Sequence, residues 1–345
     1  MKQNNRGLWS FLNRDVYLTR LVGLMIIWLI FMAIFRFDRF YTPISFQTMA
    51  AQFPEFGLMS LGIMLCMITG GIDLSVVGVA NFASISSALL LKEMAYENGV
   101  LPVYAIPAAM IFGMIVGGLA GAMNGVLISK VKIPPILATL GSLELFTGIA
   151  IVLTRGKAVS DIPIRYAETI AGRLFGVIPM QLVFFVLMAV ILQFLLTRTT
   201  YGTKIYMLGT NITAAKFSGL NTDLLLIKTY MLSGICAAMG GLIMLANYNS
   251  ARADYGTVYT LQCILIVVLG GVNPAGGKGR LGGVVLAICV LQMLSSGLNR
   301  FPQISSFYIP LIWGGVLILV MVLNYFTENK KIRESSNDSN TKKSA

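Results

Sequence analysis

The chain has 345 residues, of which 56% are hydrophobic and only 12% are charged. A soluble domain carries about 25% charged residues, so this composition excludes a soluble globular protein and indicates a lipid bilayer as its surroundings. The net charge of +12 does not indicate nucleic acid as a partner, because the basic residues lie at the ends of apolar runs, where they orient membrane proteins, and no nucleic-acid-binding module is visible. Histidine is absent, which excludes histidine-based metal sites, proton relays and catalytic triads.

Residues 1–17 are predicted to form a basic cytoplasmic N-terminus, with Lys2, Arg6 and Arg14 before the first apolar run. No small-residue cleavage site follows that run, so we predict a retained helix and not a removed signal peptide. A spanning helix needs about 20 apolar residues. By this length the predicted spans are 18–37, 54–71, 74–93, 102–129, 134–153, 179–197, 225–248, 258–272, 281–298 and 305–326. The sequence therefore predicts an all-α integral membrane protein with about ten transmembrane helices, in one transmembrane domain over 18–327.

Both ends of the chain are basic, and residues 328–345 are polar and rich in Ser, Asn and Lys. That composition predicts a disordered tail. Cytoplasmic segments of membrane proteins carry an excess of Lys and Arg, and ten spans place both termini and most of the 26 basic residues on that side. We therefore predict a multi-pass protein of the inner, cytoplasmic membrane with both termini in the cytoplasm. No P-loop is present, so any energy from ATP has to come from another chain.

The first break in the apolar pattern lies between the second and third spans, at residues 70–75. Gly70 and Gly71 loosen the backbone there, and the ionisable Asp73 follows. Asp73 could cap the third span by accepting a hydrogen bond from the amide of Ser75 or Val76. It could equally line or gate a transport path, because carboxylates inside a membrane are usually functional. Both roles are compatible with each other.

The second break covers residues 270–280 and has a similar core of two glycines, an aliphatic residue and Asn or Asp. Its glycines permit a tight or re-entrant turn. The similarity to the first break is consistent with an internal duplication but is too short to prove one. The spacing around Lys278 does not fit a phosphate-binding P-loop. The glycines predicted as hinge or re-entrant positions in the two breaks are Gly70, Gly71, Gly270, Gly271, Gly276 and Gly277.

Several polar residues lie within the predicted spans. Amides and hydroxyls both donate and accept hydrogen bonds, which suits a neutral polyol as the transported solute. The alternative is that these residues hold helices together, as polar side chains often do in membranes. Glu55 is expected at a membrane interface, and Glu144 deeper, facing a pore or a polar neighbour. The residues predicted to line a substrate path are Asp73, Asn81, Asn124, Glu144 and Asn247.

One substantial polar loop, about 198–224, is predicted on the cytoplasmic side. Within it, Asn211 to Phe217 is typical of a short helix, with Asn211 as its N-cap and Gly219 as its C-terminal stop. A short, partly apolar helix that projects from a membrane needs a partner surface, which in an ATP-driven importer would be the ATPase. The alternative is a helix that lies on the lipid surface.

Four segments together resemble the permeases of bacterial sugar ABC importers, the group of ribose, galactose and autoinducer-2 permeases. They are Gly70-Gly71-Ile72-Asp73-Leu74-Ser75; Asn124-Gly125 followed by residues 132–141; Gly209-Thr210-Asn211 with Ala214-Ala215 and Ser218-Gly219; and Val268-Leu269-Gly270-Gly271 with residues 276–280. The resemblance covers roughly residues 45–325. In this chain Val76 and Val77 precede Gly78 after the first segment, where relatives commonly have glycine sooner.

The resemblance implies a second permease, identical or related, an ATPase chain with two nucleotide-binding modules, and an extracytoplasmic solute-binding protein. It also implies that the loop around 209–219 couples this chain to the ATPase. The coupling residues are then Gly209, Asn211, Ala214, Ala215, Ser218 and Gly219. The chain itself would bind no cofactor, while ATP and Mg would be used by the ATPase.

We therefore expect a non-enzymatic translocation subunit that moves a sugar or sugar-like solute by alternating access. Two other hypotheses remain open from the sequence. One is a secondary transporter driven by an ion gradient, with Asp73 or Glu144 as the coupling carboxylate. The other is a membrane scaffold without transport activity.

Overall fold

The computed structural model describes residues 16–96 and 101–302, together with isolated positions between 308 and 322. The predicted N-terminal segment 1–17, apart from its last two residues, and the predicted tail 328–345 lie outside the described residues. The described part contains thirteen helices and one short hairpin. The elements are α1 (Val16–Phe40), α2 (Pro43–Gln52), α3 (Pro54–Ile68), α4 (Val76–Met94), α5 (Ala105–Ser129), α6 (Pro135–Thr154), α7 (Ile164–Ile170), β1 (Arg173–Leu174), β2 (Ile178–Pro179), α8 (Met180–Arg198), α9 (Thr200–Thr210), α10 (Ile212–Phe217), α11 (Thr222–Tyr248), α12 (Tyr259–Leu269) and α13 (Leu281–Leu298).

The number of ten spans is not confirmed by these helices. Seven described helices are long and apolar enough to cross a membrane, and the bent pair α2–α3 brings the number to eight. The predicted span at 258–272 contains only the 11 residues of α12, which reach about 16 Å, roughly half the hydrocarbon thickness. The predicted span at 305–326 lies outside the continuously described ranges. The remaining predicted spans agree with helices to within a few residues.

The structure has two local features that the sequence analysis did not predict. The span expected to begin at residue 54 is preceded by α2, and the two helices meet at an angle of 43°. Pro54 causes this bend, because its ring removes a backbone donor and clashes with the preceding turn. The second feature is the antiparallel β1–β2 hairpin, whose turn residues Phe175 and Gly176 have φ of 53° and 74°.

Helix α3 forms the centre of the bundle. Every residue from Pro54 to Ile68 is buried, and the helix contacts α4, α8, α11, α12 and α13. A helix that is apolar on all sides is expected in the interior of a helical protein. The predicted second span is thus surrounded by protein and does not face lipid.

Helices α5 and α11 pack with their backbones in direct contact. A Cβ atom at Gly121 would overlap the carbonyl oxygen of Tyr230, and one at Gly234 would overlap that of Gly117. Small residues allow such close approach and are the usual means of packing helices in membranes. This contact holds one side of α11 against α5, while the other side of α11 covers α3.

The bundle has two distinct ends, which we name by their elements. The α10 end carries α9, α10 and both breaks, and it includes the ion pair of Lys132 with Asp223 at 3.2 Å. The hairpin end carries α7, the β1–β2 hairpin and residues 249–258, which are linked to the segment after α6 by a β-bridge between Val159 and Ala251. Helix α3 runs from the hairpin end to the α10 end.

Candidate functional site

The two breaks have the same local backbone structure. Gly70 and Gly271 have φ of 86° and 83°, and in each case the next amide donates to a carbonyl five residues earlier, Cys66 O at 3.1 Å and Val267 O at 3.2 Å. This is the Schellman ending of a helix, which needs a residue in the left-handed region. Each break joins two antiparallel helices at the α10 end. The predicted breaks are therefore turns, and each turn connects the end of one helix to the start of the next.

An Asx turn follows each of these helix ends. The Oδ1 atom of Asp73 accepts from the amide of Ser75 at 3.0 Å, and Oδ1 of Asn273 accepts from the amide of Ala275 at 3.0 Å. Asp and Asn favour such turns because their short side chains reach the backbone two residues on. A Schellman ending followed by an Asx turn therefore occurs in both breaks. This repeated pattern supports the hypothesis of an internal duplication.

Asp73 is 1% exposed, and both of its carboxylate oxygens accept hydrogen bonds. Besides the amide, the hydroxyl of Ser75 donates to Oδ1 at 2.6 Å, and the hydroxyl of Ser233 on α11 donates to Oδ2 at 2.7 Å. Asn124 on α5 donates to the Ser75 hydroxyl at 2.8 Å. The structure thus brings Asp73 and Asn124 together through Ser75. This geometry fits the capping role, and a role in the path stays a prediction.

The breaks contact each other and the end of α9 through glycines. The amide of Gly277 donates to Ile68 O at 2.9 Å. A Cβ atom at Gly209 would overlap Ile68 O and lie 2.5 Å from the Gly277 nitrogen, and one at Gly276 would lie 2.9 Å from the Gly70 Cα. We call Gly70, Gly209, Gly276 and Gly277 the glycine junction. Because these backbones touch, α9 cannot move at this end without displacing both breaks.

The other two glycines predicted as hinges pack elsewhere. A Cβ atom at Gly71 would collide with the Tyr230 hydroxyl, and one at Gly270 would lie 2.7 Å from the Cα of Val284 on α13. These positions are tight contacts between helices. Their role as hinges stays a prediction.

Helix α10 has the caps that its sequence predicts. The side chain of Asn211 accepts from the amide of Ala214 at 2.9 Å, and Gly219 follows the helix with φ of 78°. Ala215 is buried and anchors the helix, whereas Phe217 is 87% exposed. The Ser218 hydroxyl donates to Ala214 O at 2.9 Å. The prediction of a short capped helix over these residues is confirmed, and the helix presents the exposed ring of Phe217.

A cavity of about 600 Å³ opens at the hairpin end. It lies between α2, α3, α11, α12 and α13, so each wall comes from a different part of the chain. Its polar lining includes five side-chain amides and one carboxylate, beside hydroxyl groups and Arg173. The amides and the carboxylate belong to Gln47, Gln52, Glu55, Asn247, Gln262 and Gln292.

Glu55 forms the polar wall of this cavity. It is 3% exposed and accepts hydrogen bonds from the Asn247 amide, from the Tyr248 hydroxyl at 3.2 Å and from the Tyr259 hydroxyl at 3.0 Å. Gln181 on α8 donates to Asn247 Oδ1 at 2.8 Å. Sequence reasoning included Asn247 among the path residues but missed this cluster, because its members come from four separate helices or helix ends.

The remaining predicted path residues lie apart from one another. Asn81 on α4 donates to Ala253 O at 2.9 Å and to Tyr255 O at 2.8 Å, so it anchors the segment after α11. Glu144 lies exposed on α6 in a shallow apolar pocket with Leu145 and Val152 among its lining residues. It makes no hydrogen bond or ion pair within the described part of the chain. The predicted path residues thus do not form one cluster in a single copy.

A buried central helix and surrounding helices of spanning length and composition define a multi-pass membrane protein. The family described as "Branched-chain amino acid transport system / permease component" matches residues 45–324. The ribose import permease of Bacillus subtilis is 35% identical over 82% of this chain and 85% of its own length.

Other similar proteins agree with this match. The D-allose transport system permease of Escherichia coli is 31% identical over 77% of this chain and 79% of its own length. An autoinducer 2 import system permease of E. coli is 31% identical over 83% of this chain and 81% of its own length. The solved structure of a metal-chelate type ABC transporter in an inward-facing conformation has a TM-score of 0.52 and 18% identity, with 88% of this chain and 99% of that chain covered, which shows a shared fold.

The chain therefore belongs to the permease family of bacterial sugar ABC importers. Proteins of this family are the membrane-spanning subunits of ABC transporters and are not themselves enzymes.

Proposed function

We propose that this chain is the translocation subunit of an ATP-driven importer that carries a sugar or sugar-like solute into the cytoplasm by alternating access. The observation that carries the proposal is the glycine junction. The exposed helix α10 follows α9 directly, and α9 packs by Gly209 against both breaks. A force applied to α10 therefore acts on the ends of α3 and α12, which are the helices that also line the cavity at the other end.

The partner at the α10 end is proposed to be an ATPase chain with two nucleotide-binding modules, which binds ATP and Mg while this chain binds no cofactor. The aromatic side chain of Phe217 is 87% exposed, and the aliphatic side chain of Ile212 is 52% exposed. Exposed aromatic residues are typical of anchors that fill a pocket on a partner protein. We place this end, with both termini, in the cytoplasm, and an extracytoplasmic solute-binding protein at the hairpin end.

A second permease, identical or related, is proposed to cover the face of α6 that carries Glu144. Gly141 and Gly148 lie on the same face, one turn before and after Glu144, and have open space around them. A carboxylate that faces lipid is costly, so it is expected to face protein or a water-filled path, and small residues favour close helix packing. These observations support a path shared by two permeases, with Glu144 on its wall.

Phe217→Glu is the variant that tests the ATPase partner. It is expected to abolish co-purification of the ATPase and sugar uptake, because a charge would occupy the apolar pocket of the partner, whereas the amount and thermal stability of the permease stay unchanged. Phe175→Glu is the matched control for co-purification of the ATPase, since Phe175 is 88% exposed at the hairpin end, where the solute-binding protein and not the ATPase is proposed to bind. A Phe217→Glu complex that retains its ATPase and normal turnover would contradict the assignment.

Uptake in proteoliposomes tests the energy source. Transport that needs ATP and the binding protein, and that persists when ionophores collapse the ion gradients, supports the importer. The ion-gradient alternative is not favoured, and uptake that stops with the gradient while ATP is intact would restore it.

The orientation of the bundle is tested by single cysteines at the same two positions. In cells that express the permease without the ATPase, Phe175→Cys is expected to react with a membrane-impermeant maleimide in intact spheroplasts, and Phe217→Cys only after permeabilisation. The unmodified protein is the control, because Cys66, Cys236 and Cys263 are buried and Cys289 is partly buried. Labelling in the reverse order would overturn the assignment of the α10 end to the cytoplasm.

A further inference from the structure

We infer that the hairpin-end cavity is a recognition site for a neutral sugar within a single copy of this chain, with Gln262 and Gln292 binding hydroxyl groups. This inference rests on the proposed function and assigns to it a site separate from the α6 face. The cavity volume of about 600 Å³ lies within the range of small-molecule sites, roughly 300–1,000 Å³.

Gln262 is the residue that points most directly to a ligand. It is 7% exposed and lines the cavity, yet its side-chain amide makes no hydrogen bond with any part of the chain that the structure describes. The amide opens onto the cavity, so its donor and acceptor are available to a molecule that enters it. A sugar hydroxyl both donates and accepts hydrogen bonds and can take the place of water at this amide.

Gln292 adds a second binding group on the neighbouring helix. It is 6% exposed, and its Nε2 donates to Gln52 Oε1 at 3.0 Å. This bond orients the Gln292 amide and leaves its Oε1 as an acceptor. Amides from α12 and α13 therefore present both an acceptor and a donor to the same space, as recognition of a hydroxyl requires.

Glu55 acts as a positioning residue in this site. Its oxygens already accept from Asn247, Tyr248 and Tyr259, so they fix the polar wall instead of competing for the solute. Gln181 holds the other end of the Asn247 amide. Such a supported network keeps binding groups in place before the ligand arrives. The Phe56 and Tyr259 rings, with centroids 5.8 Å apart, give an apolar surface for the carbon face of a sugar ring.

The charge of the wall selects against anions. The lining contains the carboxylate of Glu55 and amides, and its cationic group is Arg173, which lies exposed in the hairpin. A phosphate brought next to Glu55 would be repelled by it, and like charges at close range cost several kcal/mol. We therefore expect free pentoses or hexoses to bind and their phosphate esters to be excluded.

Gln262→Leu tests the site through transport. The variant keeps the side-chain volume and removes the amide. Because the solute-binding protein sets the half-saturation concentration for sugar, the measurement is the rate of D-ribose or D-allose uptake at saturating sugar, which is expected to fall about tenfold with the loss of one or two hydrogen bonds. Gln193→Leu is the matched control, because Gln193 lies exposed on α8. An unchanged uptake rate at saturating sugar in Gln262→Leu would overturn the inference while leaving the importer function intact.

Labelling of Gln262→Cys tests the site without the ATPase or the binding protein. A small thiol reagent is expected to modify this cysteine in the purified permease, and D-ribose or D-allose is expected to slow the reaction, whereas ribose phosphate is not. The inference would be overturned if neither D-ribose nor D-allose slowed the labelling, or if ribose phosphate slowed it as much as the free sugars did. If the free sugars protected the cysteine but the wild-type complex showed no ATP-dependent uptake, the proposed function would be wrong and the assignment of the sugar site would stand.

Discussion

Gly209→Val is expected to abolish uptake while the permease remains in the membrane. Valine at this position would place its Cβ on the carbonyl oxygen of Ile68 and 2.5 Å from the nitrogen of Gly277. Both obstacles are backbone atoms, so no side chain can rotate away, and the end of α9 has to separate from both breaks. Overpacking of this kind costs about 1–3 kcal/mol, which a bundle held by many other contacts can tolerate.

The measurement compares sugar uptake with ATPase turnover in the same proteoliposomes. Because α10 and its exposed Phe217 are left intact, the variant is expected to retain its ATPase and to hydrolyse ATP without transport. Gly23→Val is the control, since a Cβ atom there meets open space and Gly23 lies on α1, outside both the glycine junction and the α6 face. Normal uptake by Gly209→Val would show that the glycine junction does not transmit movement.

The second large effect is expected from Asp73→Ala, which should prevent accumulation of folded permease. The substitution leaves the amide of Ser75 and the hydroxyls of Ser75 and Ser233 without their acceptor. Each unsatisfied buried donor costs about 1–3 kcal/mol, and the amide cannot reorient. Loss of the Asx turn also releases the link between the first break and α11. The amount of protein in the membrane and its thermal stability in detergent measure the effect.

Asp73→Asn separates the two roles considered for this carboxylate. Asparagine keeps an acceptor for Ser75 and can donate to the Ser233 hydroxyl, so a purely structural role predicts stable protein and ATP-driven uptake within a few-fold of normal. A coupling or gating carboxylate predicts stable protein without uptake, because the amide carries no charge. The second outcome would return Asp73 to the transport path.

Local features of the fold could be predicted from the sequence. The caps of α10 depend on Asn211 and Gly219, which lie within ten residues of each other, and short-range hydrogen bonds decide such elements. The breaks were likewise visible, since glycine pairs beside Asp73 and Asn273 interrupt apolar runs. The proline at position 54 indicates a helix break, but a search for apolar runs of 20 residues does not take prolines into account.

Features that depend on tertiary contacts could not be predicted in this way. Glu55, Gln262 and Gln292 each look like a single polar residue beside or within an apolar run, and Asn247 looks like part of a polar helix end. Only the packing of their helices brings the four residues to one cavity. Gly209 is similar, because the reason for a glycine there is the carbonyl of Ile68, more than a hundred residues earlier. The exposure of Glu144 was also undecided, since the charge alone does not indicate which face of α6 it occupies.

The burial of α3 on every side constrains how this protein is made. During synthesis α3 leaves the ribosome well before α11, α12 and α13, which supply much of its final surroundings. During that interval its apolar residues are tolerated by lipid, and Glu55 lacks its native donors Asn247, Tyr248 and Tyr259, which have not yet been made. Because α11, α12 and α13 are made late, α3 is among the last helices to be surrounded by its native neighbours. A chain arrested before α11 would leave α3 accessible to quality-control proteases.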